Sequence, residues 1–251
     1  MNKKLLTLAV AGIMAAPMAA QAEATIYGKM HVSVENIDND NAAAEEDSGL
    51  AVSSNSSRIG FKGAEDLGGG LKAIWQTESA IDLAGSNSSL SARNSFLGLA
   101  GGFGTVLAGR HDTPYKSVGR KVDLFGDTVG DSRSIVNDAG QDARTNNTIA
   151  YITPDLGGFS VVAAYVTDVN DTDLGPAGCV TGDFSSDNSN NSATSISLNY
   201  ANGPIYVGLA NQQVSEDAFG PGAESSSATR LAASYSMGAM KFTGLWETNS
   251  D

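Results

Sequence analysis

The sequence predicts an all-β chain of long antiparallel strands, and three observations carry that prediction. Apolar and polar residues alternate with a period of two in one segment after another. Between those segments, Gly-rich turns take turns with long stretches rich in Asp, Asn and Ser. Glycine is abundant, 29 of 251 residues, as a chain with many tight turns requires.

Composition removes several other classes. Charged residues make up 17% and apolar residues 41%, which fits neither a charge-rich disordered chain nor a helical membrane protein. A single cysteine, Cys179, excludes a disulfide framework and a cysteine-based zinc site; a free thiol is the expectation, with an intermolecular bridge the minority case. The balance of 28 acidic to 15 basic side chains, net −13, argues against nucleic acid as a partner, because that needs clustered Lys and Arg. Residues 1–22 read as a secretory signal peptide. Lys3 and Lys4 precede the mostly apolar run Leu5–Ala16, and Ala20-Gln21-Ala22 is a small-x-small cleavage site. A buried first helix is the distant alternative. The mature part, 23–251, carries −15 over 229 residues.

The strands follow in order. From Ala24 to Val34 the even positions are Ala24, Ile26, Gly28, Met30, Val32 and Val34, and the odd ones Thr25, Tyr27, Lys29, His31 and Ser33. One face is apolar and the other mostly polar, over a length close to the roughly 9 to 11 residues with which a tilted strand crosses a bilayer. Ile59 and Phe61 then point out, against Arg58 and Lys62. Leu71, Ala73 and Trp75 point out against Lys72, Gln76 and Glu78, with Ile74 an exception. Ile149 and Tyr151 oppose Arg144, Asn146 and Thr148. After Gly158 the outward set is Phe159, Val161, Ala163 and Tyr165, followed by Ile196, Leu198 and Tyr200, then Ile205, Val207 and Leu209. The last two segments set Leu231, Ala233 and Tyr235 against Arg230 and Ser234, and Met240, Phe242 and Trp246 against Lys241, Thr243 and Glu247. These nine segments, with two more around Phe96 and Thr105, make eleven strands.

The connections alternate in kind. Short ones occur at Leu67–Gly70, Gly101–Gly104, Pro154–Gly158, Asn202–Pro204 and Met237-Gly238; long polar ones run over Asp38–Ser48, Asp168–Asn191 and Ser215–Ala228. Turns at one end and loops at the other are the layout of a transmembrane antiparallel β-barrel of the outer-membrane kind. A soluble Greek-key sandwich would not alternate so regularly. Tyr27, Trp75, Tyr165, Tyr200, Tyr235 and Trp246 are the aromatics expected outward, near the edges of an apolar belt.

Several motifs in order resemble the Gram-negative general porins. Arg58-Ile59-Gly60-Phe61-Lys62-Gly63, followed by an acid-Gly turn and Leu71-Lys72-Ala73-Ile74-Trp75-Gln76-Thr77-Glu78, looks like their strands two and three. Arg93-Asn94-Ser95-Phe96-Leu97-Gly98-Leu99, then Gly102-Phe103-Gly104-Thr105 and Gly109-Arg110, looks like strands four and five. Asn147-Thr148-Ile149-Ala150-Tyr151 with Thr153-Pro154 and Gly157-Gly158-Phe159 continues into strands six and seven. The resemblance runs from Ala24 to Thr248 and is weakest in the long loops.

It implies a trimeric, sixteen-stranded, water-filled barrel in the outer membrane, among lipid and lipopolysaccharide. It passes small hydrophilic solutes and ions by passive diffusion, without cofactor, metal or catalysis. It also implies a third loop folded inward to narrow the pore. Here that loop is expected over about 111–143, the longest stretch without strand alternation between strands five and six. It holds Asp112, Asp123, Asp127, Asp131, Asp138 and Asp142 against Lys116, Arg120, Lys121 and Arg133. By analogy its acids, Asp123, Asp127 and Asp131 foremost, face arginines on the barrel wall. Strand parity independently turns Arg58 and Arg144 to the lumen, and Arg93 less cleanly, opposite Phe96. Arginine stays protonated, so arginines facing carboxylates across a narrow slot set a transverse field on a passing solute. The plainer reading is solvated lumen charge. Lys29, Lys72, Arg230 and Lys241 share the lumen side without needing to lie at the narrow zone. Six loop acids against four bases favour cations mildly, whereas the wall arginines favour anions, so no selectivity follows from sequence.

Other chemistry finds little support. Two histidines, His31 and His111, leave a metalloenzyme or histidine triad little to use, and no Gly-x-Ser-x-Gly elbow occurs. Gly102-Phe103-Gly104 has Leu107 where a phosphate-binding pattern needs its third glycine. Asp168–Gly175 has calcium-loop oxygen spacing without the closing glutamate, and reads as an acidic surface loop. The alternative to a channel is a secreted adhesin or binding protein whose acidic loops hold cations or partners. About eleven of sixteen strands are present, and sixteen would need roughly 330 mature residues, so the chain reads as an N-terminal fragment.

Overall fold

The computed structural model describes residues 23–37, 49–85, 91–128, 130–134, 141–167, 192–215 and 225–250. The signal peptide expected over 1–22, the connections 38–48, 168–191 and 216–224, Asp138 and Cys179 lie outside the described residues.

Among the described residues, fourteen strands and one α-helix follow in chain order: β1 Glu23–Lys29, β2 Val32–Ile37, β3 Gly49–Ser54, β4 Arg58–Gly68, β5 Leu71–Ala80, β6 Ser91–Ala92, β7 Ser95–Gly101 and β8 Gly104–Asp112. Helix α1, Pro114–Arg120, precedes β9 Arg144–Ile152, β10 Phe159–Val166, β11 Ala193–Asn202, β12 Ile205–Val214, β13 Ser226–Met237 and β14 Met240–Ser250. Eleven of them form one antiparallel path, β1-β4-β5-β7-β8-β9-β10-β11-β12-β13-β14, with the short β6 on β5. Each strand from β4 onward pairs the next along the path, which is the meander that glycine turns allow. Gly68, Gly69 and Gly70 all take positive φ between β4 and β5, as does Gly203 between β11 and β12, a conformation costly for other residues.

The two faces differ as the alternation predicts. Ile26, Leu97, Ile149, Ile196, Leu209, Leu231 and Trp246 stand exposed on the outer face. The inner face buries small and polar side chains: Ala150, Thr148, Ser195, Ser197, Ala210, Gln212 and Ala232. Helix α1 packs on that inner face, against β11, β12 and β13. A core that sits under a loop, with the larger apolar residues outside, is a sheet turned inside out relative to a water-soluble one, and suits a lipid surround.

Four expectations need correction. The first strand is not continuous to Val34: it breaks at Met30-His31. From there β2 pairs β3 in a separate two-stranded ribbon, one residue out of step with the β1–β4 register. The offset is absorbed by Ser57, which accepts a hydrogen bond from the His31 amide and donates one to the His31 carbonyl. Second, Tyr27 points inward rather than to the belt. It follows the parity of Lys29 and lies over Gly60, where a β-carbon would fall 2.4 Å from its ring, and its hydroxyl donates to Glu78 at 2.9 Å. Third, Phe96 is inward, packed edge-on to His111 at 5.4 Å, while Leu97 and Leu99 are outward. Fourth, β13 begins at Ser226, inside the stretch expected to be loop as far as Ala228.

Candidate functional site

The described residues between β8 and β9 fold inward as two parts of a loop, a root and a tip. Strand β8 runs two residues into the expected range, to Asp112, and β9 resumes at Arg144. These two residues are register partners, and the Arg144 guanidinium meets the Asp112 carboxylate at 3.0 Å. Asn94 joins them, accepting from Arg144 at 2.7 Å and donating to Asp112 at 3.1 Å. The neck of the loop is thus closed by charge.

At the root, Thr113-Pro114 starts α1: the Thr113 hydroxyl accepts from the Lys116 amide, and Pro114 occupies the first turn, where no amide hydrogen is needed. Tyr115, Val118 and Val122 recur at helical spacing and bury with Tyr206, Ala210, Ala228 and Ala232 of the wall. Arg230 of β13 reaches into this cluster. It pairs with Asp142 at 2.8 Å and Glu247 at 2.9 Å, donates to the Tyr115 carbonyl at 3.3 Å, and lies 4.0 Å from the Tyr115 ring centre. Arg230 stands on the inner side of the wall and is 3% exposed. The loop covers it. Lys116 pairs with Asp142 at 3.1 Å, and burial lowers its pKa despite that neighbour.

At the tip, four bases converge on three carboxylates. Asp127 meets Lys29 at 3.1 Å and Arg58 at 3.5 Å, both on the wall, and Arg120 within the loop at 2.6 Å. Asp131 is held by Arg120 and Arg133, each at 2.8 Å, and accepts from the Asp127 amide. Asp123 accepts from Ser132 and sits 3.5 Å from Arg120. Burial raises the Asp127 carboxyl, but the Lys29 hydrogen bond and the Arg120 charge outweigh it and hold the pKa at about 2. Burial raises Asp131 as well, and the bond from Arg133 with the neighbouring amides drives it well below the carboxylate range. Asp127 itself takes a positive φ of 65°, and its carboxylate meets the wall at Lys29 and Arg58.

Among the wall residues, Arg58 stands between Asp127 and Glu78, the latter at 3.8 Å. Arg93 bonds Glu78 at 2.5 Å. Arg93 reaches the inner side because the chain breaks strand geometry at Arg93-Asn94, between β6 and β7, and not by strand parity. Arg144 lies at the neck, Lys72 is exposed opposite Asp66 near the β4–β5 turn, and Lys241 donates to the Lys121 carbonyl at 3.3 Å. The structure therefore brings Lys29, Arg58 and Asp127 into one cluster and links Arg93 to it through Glu78. Asp123 and Asp131 pair inside the loop instead of with wall arginines. Strand parity turns Glu78 inward, and only the fold brings Arg58 and Arg93 to it. Tyr115 was not singled out, although Thr-Pro followed by apolar residues at helical spacing marks a short docked helix. Among the described residues no group of His, Cys, Asp and Glu is arranged to hold a metal.

Comparison with known proteins gives a consistent result. The Gram-negative porin family model matches residues 7–251. The chain is 32% identical over 216 residues to the major outer membrane protein P.IB of Neisseria gonorrhoeae, covering 84% of this chain and 56% of that protein. To the Neisseria lactamica protein of the same name it is 36% identical over 176 residues, covering 68% and 51%. The chain thus spans about half the length of these relatives. Among solved structures, an anion-selective porin from Comamonas acidovorans superposes with a TM-score of 0.70 at 28% identity, over 91% of this chain and 68% of that one. A loop-deleted OmpT of Vibrio cholerae shares the fold, with a TM-score of 0.60 at 16% identity. An outer face of exposed apolar residues, an inward loop laid on the inner face and a family match along nearly the whole length agree: the chain belongs to the Gram-negative porins, the antiparallel β-barrel proteins of the outer membrane.

Proposed function

We propose that the protein forms a water-filled pore through which small hydrophilic solutes and ions diffuse passively, without cofactor, energy source or catalysis. It works as a homotrimer among outer-membrane lipid and lipopolysaccharide. The observation that carries this reading is the loop tip, whose Asp127 is ion-paired to Lys29 and Arg58 on the inner wall. With Arg93 on Glu78 and Arg144 on Asp112, the slot is lined by fixed charges that act across the solute path. In this assignment Arg58, Arg93, Arg144 and Asp127 form the constriction, and Asp123 and Asp131 hold Asp127 in place.

The pairing also favours a sign. Around the tip each base is more exposed than the acid it holds: Lys29 is 38% and Arg133 40% exposed, whereas Asp127 is 8% and Asp131 5%. A solute in the slot meets cations first, so the channel prefers small anions, as the name of the Comamonas porin says of that protein. Purified protein in planar bilayers is expected to give stepwise conductance, with a reversal potential of anion sign in a salt gradient. Replacing Arg58 and Arg144 with Gln shifts that potential toward cations. A folded, full-length sample without conductance steps overturns the channel, and an unshifted potential overturns the role of these arginines.

A further inference from the structure

We infer that Arg230 is the positioning residue of the channel: it fixes the inward loop against the barrel wall and so sets the size and steadiness of the opening. The inference rests on the channel reading above and goes beyond the constriction charges, because Arg230 lies beneath the loop and not in the slot.

Arg230 joins both stems of the loop to the wall. On the stem entering the loop it donates to the Tyr115 carbonyl and lies over the Tyr115 ring; on the stem leaving it, Arg230 pairs with Asp142. Its own register partner across β13 and β14, Glu247, takes two of its donors at 2.9 and 3.1 Å, and also accepts from the Tyr115 hydroxyl at 3.3 Å. One guanidinium therefore ties together residues 27 positions apart on the loop and 17 apart on the wall.

The helix is shaped to receive it. A β-carbon at Gly119 would fall 2.6 Å from Arg230 Nη1 and 3.2 Å from Cζ, so the guanidinium occupies the space that a side chain would need. An arginine this deeply buried is tolerated only where its charge and donors are met. If the loop leaves the wall, Arg230 loses Asp142 and Tyr115 together, and Glu247 loses a donor. Such an arrangement adds little net stability, but it penalises every loop position other than the docked one. For a pore, that penalty keeps the aperture constant.

The test compares wild type with Arg230→Met, Arg230→Lys and Gly119→Ala. Gly119→Ala leaves every charge in place, displaces the guanidinium from the helix side, and replaces no strand residue. Two readouts are used: single-channel recording in planar bilayers, and tryptic cleavage of the folded protein at Lys116, Arg120, Lys121 and Arg133. Arg230→Met is expected to raise both loop cleavage and time in sub-conductance states by at least about a hundredfold, the low end of what removing one partner of a buried ion pair costs, and Gly119→Ala to raise both in the same direction. Arg230→Lys, which keeps the charge without the fork, falls between them and wild type, and barrel melting stays unchanged in Gly119→Ala. Wild-type protection from trypsin with no wild-type conductance overturns the channel reading and leaves the positioning role standing. Steady conductance and wild-type cleavage in Gly119→Ala and Arg230→Met overturn the positioning role.

Discussion

The root and the tip of the inward loop are both held by ion pairs, yet different physics holds each. At the root, Tyr115 and Val118 are fully buried, and the charges of Arg230, Lys116, Asp142 and Glu247 are shut in with them. At the tip, Leu124 and Phe125 are exposed, and Lys29 and Arg133 reach solvent. A charge buried with apolar side chains is set by geometry and hardly screened. A part-exposed charge at the tip is screened by salt. The root fixes where the loop lies, and in the proposed channel the tip sets the preferred ion.

The largest effect belongs to the root. Tyr115→Ala removes a buried ring and is expected to weaken loop docking by about 3 to 5 kcal/mol, the range for aromatic truncation in a core. Tryptic cleavage across residues 116–133 measures it, and wild-type protection in the variant would erase the distinction between root and tip. A smaller effect follows from Asp127→Asn, which removes part-exposed, salt-screened ion pairs worth about 1 kcal/mol or less apiece and leaves Lys29 and Arg58 without their shared carboxylate. The loop stays docked, and the reversal potential moves further toward anions; a move toward cations would show that Asp127 is not the tip's acid.

Acid comes next. Asp127 has a folded pKa lowered to about 2 by Lys29 and Arg120 against the opposing effect of burial. A lowered carboxylate stabilises the fold above its unfolded pKa, near 4, and loses that contribution as pH falls through the folded value. The tip is therefore expected to hold from pH 7 to about 4 and to loosen progressively toward pH 2, read as conductance noise against pH. Noise that begins near neutrality contradicts this. Salt has the smallest effect: raising it from about 0.1 to 1 M shortens the screening length from about 10 to 3 Å and costs the tip pairs under about 1 kcal/mol. Root protection from trypsin stays constant over the same range.

Much of the fold was legible because period-two alternation records the two environments of each strand directly. Leu209, Ile196 and Leu231 face out and Ala210, Ser197 and Ala232 face in, as parity states. Parity failed where the backbone left the strand: at Met30-His31 the ladder shifts, and at Arg93-Asn94 a break turns Arg93 inward while Phe96 takes an inner position. Tyr27 misled for another reason, since an aromatic suits both a membrane belt and the gap above a glycine, and Gly60 supplies that gap on the inner side. In the loop, the sequence names the acids and bases without their partners. Asp123, Asp127 and Asp131 are alike in composition and differ in which bases the turns bring to them.

The amino-acid sequence by itself determined the all-β class, the outward and inward faces, the turn and loop ends and the family, because each depends on periodicity or local motif. The tertiary structure alone decided that Asp127 reaches the wall at Lys29 and Arg58, that Glu78 couples Arg58 to Arg93, and that Arg230 lies buried beneath the loop. Those pairings join residues far apart in the chain, and electrostatic attraction between unlike charges carries no address. Only the path of the folded backbone determines which carboxylate each arginine meets.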